Sequence, residues 1–276
     1  MKHITILNIP GYQEWREAAR NALINHIAPE QILWTTGQNL QVDLFNATRP
    51  GHEKQADATE KDSFDRFLIK RPPRPVHVSH TFLKLCEMAL CHQSPERFSL
   101  CYRVLWRLAN ENKHLLNLKT DNDVLRLNAL FKAVQRDAYK MTAFLRFRKI
   151  THNGTEHFIA WYEPEHYALE LKLDFFKTRF KNMRWSILTP YRAAHWDTKC
   201  LTLEDNPDPS VYPREDNIEK YWLTYYANIF NPARPKKNAM LAQMPKKYWK
   251  NMPEADLIDK MLMKSEARTR EMLEKS

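Results

Sequence analysis

Phe144-Leu145-Arg146-Phe147-Arg148-Lys149-Ile150, then Asn153-Gly154, then His157-Phe158-Ile159-Ala160-Trp161-Tyr162 is the stretch on which the fold turns. Here the apolar period drops from the helical repeat to two, the repeat of a half-buried strand. Asn-Gly between two such runs is a hairpin signal, because both residues tolerate positive φ. Upstream, Val124, Leu127, Phe131, Val134, Ala138 and Met141 alternate at three and four residues, which predicts a helix over Asp123–Met141. Downstream, a helix is expected from Glu165 to Lys181, burying Leu169, Leu173, Phe176 and Phe180. Trp185–Thr189 and Cys200–Leu203 read as two more strands. The order ββαββ implies an antiparallel sheet with a helix across one face. The fold class read from this is α+β, with helical blocks around a central ββαββ antiparallel sheet unit.

Toward the N-terminus, Ile4–Ile9 reads as a strand ending at Pro10-Gly11. Trp15–Ile27 reads as a helix with Trp15, Ala18, Ala19, Ala22 and Leu23 on its apolar side, and Ile32–Trp34 as a second strand. Residues 1–48 are thus a small N-terminal α/β unit. A polar and proline-rich linker is expected at 49–75, closing on Arg71-Pro72-Pro73-Arg74-Pro75, since proline restricts its own φ and its predecessor. The main domain is then 76–276. Ser79 is the expected cap of a helix through Leu90, and Ser94-Pro95 the start of the next. Helices return from Ile218, with Trp222, Tyr225 and Ile229 on the stripe.

The chain has 276 residues and is 43% hydrophobic, enough to bury a core and to exclude a disordered protein. Lys plus Arg number 43 against 33 acids, a net charge of +10 that favours polyanionic partners. The start is too quickly polar for a secretory signal, and no run of about 18 apolar residues exists to span a membrane. A cytoplasmic location and no membrane partner are expected. Cys86, Cys91, Cys101 and Cys200 form no CxxC pair, so no metal is expected. Cys86 and Cys101 read as reduced core thiols. No GxxxxGK[ST], strand-borne GxGxxG, HExxH or GxSxG is present, and with four glycines no cofactor is expected.

The most cationic stretch holds Arg234, Lys236, Lys237, Lys246, Lys247 and Lys250 without an acid from 231 to 250. Such cations suit phosphates, whose neutralisation releases condensed counterions. Tyr248 and Trp249 beside them are candidates for stacking on an unpaired base, the alternative being rings plugged into the core. Lys132, Arg136 and Lys140 recur every fourth residue on one helix face, and Arg146 and Arg148 are expected to share a sheet face by parity. Acid–base candidates are His195 and Asp197, read as a loop between strands, and Asp137; turn-forming or core-satisfying roles are the competing reading.

Several segments resemble a bacterial family of unknown-function proteins described as probable DNA metabolism proteins. They include Cys91-His92-Gln93-Ser94-Pro95-Glu96-Arg97-Phe98, Lys132-Ala133-Val134-Gln135-Arg136-Asp137 and Met183-Arg184-Trp185-Ser186-Ile187-Leu188-Thr189-Pro190. The most specific are Tyr225-Tyr226-Ala227-Asn228-Ile229-Phe230-Asn231-Pro232-Ala233-Arg234 and Met244-Pro245-Lys246-Lys247-Tyr248-Trp249. The resemblance implies DNA as a partner. It also implies a uracil-DNA-glycosylase-like protein of the UdgX type, to which some members are fused, or a radical-SAM protein of DNA repair. It carries no established catalytic residues. Thr142 stands where the family pattern favours His, and no glycosylase domain is expected within these 276 residues. The expected function is a DNA-binding accessory protein that presents DNA to such a partner. The alternatives are a DNA-modifying enzyme using the acid–base residues, and a protein–protein adaptor without nucleic acid.

Overall fold

The computed structural model describes residues 1–37, 78–152, 155–208 and 244–252. The chain divides into two compact units, Met1–Arg136 with Glu165–Tyr167, and Asp137–Pro164 with Ala168–Ser276.

In the first unit, β1 (Lys2–Ile6) and β2 (Ile32–Thr36) pair in parallel, with Lys2 opposite Ile32 and Ile6 opposite Thr36. Parallel neighbours need a crossover, and α1 (Tyr12–Ile24) supplies it. Its buried residues are Trp15, Ala18, Ala19, Ala22 and Leu23, a helical stripe as expected. Gly11 opens the helix at φ +81, and a Cβ there would collide with Ile6 and the Asn8 carbonyl. This strand–helix–strand segment shares one core with α2 (His80–Leu90), α3 (Arg97–Asn110) and the first part of α4 (Asn122–Phe144). Trp15 Nε1 donates to the Phe98 carbonyl at 3.1 Å, and Tyr102 OH donates to the Ile27 carbonyl at 2.6 Å. Cys86 and Cys101 are buried, as expected, and burial pushes the Cys86 thiol pKa up. The expected linker at 49–75 and the helix from Ile218 lie outside the described residues.

Ser79 caps α2, its Oγ accepting from Phe82 N at 3.2 Å. Ser94 does not cap α3. That helix begins at Arg97, and the Ser94 carbonyl accepts from Arg97 N and from the Arg97 guanidinium. Asp121 caps α4, its Oδ1 accepting from Asp123 N at 3.0 Å and Val124 N at 3.2 Å. The buried stripe of α4 runs through Val124, Leu127, Leu130, Val134, Ala138 and Met141. Leu130 thus takes the turn expected of Phe131.

Arg107 holds Asp121 at 2.6 Å and Asp123 at 2.8 Å. The Arg107 hydrogen bond is the largest influence holding the Asp121 carboxyl below the usual range. A carboxylate with a depressed folded pKa contributes stability that is present above its unfolded pKa and lost as the pH falls through the folded one. Replacing Arg107 with Ala is expected to move the acid-unfolding midpoint upward and to cost about 1 kcal/mol at neutral pH. Circular dichroism against pH checks this, and an unchanged acid midpoint would show that the pair contributes nothing.

The second unit carries a five-stranded sheet in the order β3 (Arg148–His152), β4 (Thr155–Trp161), β5 (Trp185–Leu188), β6 (Arg192–Trp196), β7 (Leu201–Asp205). The α+β class holds, but the antiparallel four-strand expectation needs three corrections. First, β4 and β5 are parallel, because α5 (Leu173–Arg179) between them returns the chain to the same end of the sheet. Second, β6 is an added strand where a loop was expected. Third, Phe144 ends a helix, so β3 starts at Arg148. The helix expected from Glu165 also begins later. Residues 165–167 belong to the first unit, where Tyr167 N donates to the Cys91 carbonyl at 2.9 Å, and a 3-10 turn at Glu170–Lys172 precedes α5. One sheet face packs Trp185, Ile187, Ala194 and Trp196 with Leu173 and Phe176; Ile159, Leu188 and Ala193 cluster on the other.

Candidate functional site

Of the most cationic stretch, Arg234, Lys236 and Lys237 lie outside the described residues, as does the side chain of Lys250. Lys246 and Lys247 are exposed on a 3-10 turn, Lys246–Asn251. Tyr248 is 4% exposed. Its ring stacks on Tyr162 at 5.5 Å and 8° and on Phe144 at 5.4 Å and 23°. Its hydroxyl donates to Asp137 Oδ1 at 3.1 Å. Base stacking by Tyr248 is therefore corrected: the ring is core, with no open face for a nucleobase. Met244, Tyr248 and Met252 are all buried at a spacing of four, and that periodicity was the signal in the sequence. Trp249 is half-buried and donates from Nε1 to the Met244 carbonyl at 3.1 Å. Lys246 Nζ lies 5.6 Å from the Trp249 ring, while Lys247 and Lys140 lie 5.0 and 5.8 Å from the Tyr248 ring. These are cation–π distances.

Asp137 is buried against Tyr248, so it serves this packing rather than an open acid–base site. Burial, and then the Asp137 charge, push the Tyr248 phenol pKa up, so it remains a donor at neutral pH. Lys132 and Arg136 are exposed one turn apart on α4, and Lys140 follows, half-buried. Among the described residues neither Lys132 nor Arg136 pairs with a carboxylate. Several other arginines do: Arg103 and Arg107 with Asp123, Arg126 with Glu96, and Arg192 with Glu170 and Asp205. Arg146 precedes β3 instead of sharing its face with Arg148. Its Nη1 donates to the Ala143 carbonyl at 2.8 Å and the Leu145 carbonyl at 3.2 Å, closing the end of α4. Thr142 Oγ1 donates to the Tyr139 carbonyl at 2.7 Å.

His195 and Asp197 do not work together. Asp197 Oδ1 accepts from Cys200 N at 2.6 Å and Lys199 N at 2.7 Å, which forms the β6–β7 turn and holds its carboxyl below the usual range. His195 lies within β6. Its Nδ1 is 2.7 Å from Ser186 Oγ on β5, and its Nε2 is 3.1 Å from Glu204 Oε2 on β7. His157 Nε2 on β4 lies 2.8 Å from the same Ser186 Oγ. Ser186, His157 and Glu204 were not candidates in the sequence. With His195 they form a set whose members are 9 to 47 residues apart, and only strand register brings them together.

In the first unit, the His92 and His166 rings lie 4.1 Å apart. Burial, and then His166, push the His92 pKa down to about 4, so its ring is neutral at pH 7. Ser94 N donates to His92 Nδ1 at 2.9 Å. Arg97 is 2% exposed, with its guanidinium 4.3 Å from the Phe98 ring and Nη1 donating to the Ser94 carbonyl at 3.0 Å. Burial lowers its pKa. No helix among the described residues is long and apolar enough to cross a membrane.

Residues 95–254 match DUF4130, a domain of unknown function, over more than half of the chain. No curated protein and no solved structure matches.

Proposed function

We propose, for a chain that belongs to the domain-of-unknown-function family DUF4130, a role as a DNA-binding accessory protein of DNA repair or DNA metabolism. It works in the cytoplasm and presents DNA to a radical-SAM or uracil-DNA-glycosylase-like partner. The observation that carries this reading is the pair Lys132 and Arg136, exposed one helical turn apart without a carboxylate partner among the described residues, in a chain of net charge +10. A cation without a protein counter-charge retains its full attraction for phosphate, and the counterions condensed on the DNA are released on binding. Lys246 and Lys247 form a second exposed group. The partner classes rest on the resemblance in the sequence.

Binding of this kind is electrostatic and weakly dependent on base sequence, since the sequence carries no recognition-helix or zinc-finger motif of known spacing. About five phosphate contacts give a log–log salt slope of about −4 to −5. Replacing Lys132 and Arg136 together with Ala is expected to make the slope shallower by up to about two units, and the Lys246/Lys247 double variant likewise. Fluorescence anisotropy with labelled duplex and single-stranded DNA across a salt series reads both. Folded variants with an unchanged slope would remove these residues from the contact. Wild type that binds no DNA at low salt would favour the adaptor reading.

A further inference from the structure

Four neighbouring strands of the second unit bring His157, Ser186, His195 and Glu204 into one hydrogen-bonded line across a sheet face. The register places Ser186 opposite His195, Ile159 opposite Ser186, and Ala193 opposite Glu204, so alternation puts all four on the face that holds Ile159, Leu188 and Ala193. The proton order along the line follows from what each atom can do. A carboxylate only accepts, so Glu204 takes the Nε2–H of His195. In the tautomer that carries its proton on Nε2, His195 Nδ1 accepts from the Ser186 hydroxyl. A lone pair of Ser186 Oγ accepts the Nε2–H of His157. A hydroxyl beside an imidazole base, with the base oriented by a carboxylate, is the arrangement that activates a serine nucleophile.

We propose that Ser186 is a nucleophile activated by His195, with Glu204 orienting the imidazole and His157 positioning the hydroxyl, and that it accepts the acyl group of a neutral carboxylic ester. The fixed charge of the set is the Glu204 carboxylate, and no cation is hydrogen-bonded to the line among the described residues. A neutral ester therefore suits it better than a phosphodiester anion. Ser186 is 5% exposed, which shelters the nucleophile from bulk water, while the side chains of His195 and Glu204 reach solvent at 34% and 61%. Burial, then the neighbouring His195 and Arg184, lower the His157 pKa, so its ring is a neutral donor at pH 7.

In the acyl-transfer step Ser186 Oγ bonds to the ester carbon as its proton passes to His195 Nδ1. The bond from that carbon to the leaving oxygen then breaks, and the alcohol departs with the proton from His195. Water, giving its proton to His195, attacks the acyl-serine and releases the acid, and the proton returns to Ser186 Oγ. Glu204 offsets the transient imidazolium charge.

The full chain is tested with two probes. A fluorophosphonate forms an Oγ–P bond and expels fluoride; p-nitrophenyl acetate forms an acetyl-serine and releases p-nitrophenol. The expected result is one adduct per chain by intact mass, mapped to Ser186 in the wild-type peptide digest, with release of p-nitrophenol. His195→Gln should abolish both reactions. Glu204→Gln should slow them at least about tenfold with an unchanged melting temperature, and Glu204→Asp should restore part of the rate. Because the adduct is mapped in wild type, the result does not depend on whether Ser186→Ala folds. Wild type that is unmodified, or modified elsewhere, overturns the proposal. So does a folded His195→Gln variant labelled at the wild-type rate. Fluorophosphonate labelling without p-nitrophenol release overturns the ester class.

Discussion

Replacing Trp15 with Ala is expected to destabilise the first unit by about 3–5 kcal/mol, the range for emptying a buried aromatic site. Trp15 is 1% exposed, packs near Trp34 at 6.4 Å between ring centroids, and donates to the Phe98 carbonyl. The substitution removes the buried ring surface, leaves a cavity and deletes a hydrogen bond between segments 83 residues apart in sequence. Trp15→Phe keeps most of the apolar volume and loses the indole N–H, so about 1–3 kcal/mol is expected. Urea unfolding followed by circular dichroism separates the two. A Trp15→Ala protein as stable as wild type would mean that the N-terminal strand–helix–strand does not share a core with α2 and α3.

Tyr248 is expected to behave as a core residue and not as a platform for bases. Tyr248→Ala removes a ring stacked on Tyr162 and Phe144 and should cost about 3–5 kcal/mol. Tyr248→Phe retains the stacking and removes a donor from buried Asp137, at about 1–3 kcal/mol. DNA affinity of folded Tyr248→Phe should equal that of wild type. Thermal melts and anisotropy measured on the same samples check both statements. Tyr248→Ala with wild-type stability and lost single-strand binding would restore the ring to the nucleic-acid face.

Local patterns in the sequence carry the elements that one stripe or one cap defines. The α1 stripe from Trp15 to Leu23 and the Ser79 cap are read from a few neighbouring residues, and the structure agrees. β6 escaped because Arg192-Ala193-Ala194-His195-Trp196 has little β-branched character, and its strand state comes from pairing with β5 and β7. The parallel pairing of β4 and β5 escaped for a related reason. Alternation reports which face is buried and says nothing of a neighbour's direction.

The candidate residues divide along the same line. Lys132 and Arg136 were legible, because spacing of four on a helix places two exposed cations together without reference to any other segment. Asp197 was legible as a turn residue but not as separate from His195, since their nearness in sequence hides that Asp197 closes the β6–β7 turn while His195 bonds across strands to Ser186 and Glu204. By itself, the sequence determined the α+β class, the cationic balance and the helical stripes, which depend on contacts within one element or on composition. Only the tertiary structure decided that Tyr248 is core and that His157, Ser186, His195 and Glu204 form one line. Those contacts join residues 9 to 111 positions apart, and a hydrogen bond between distant residues exists only once strand register and packing have fixed both ends.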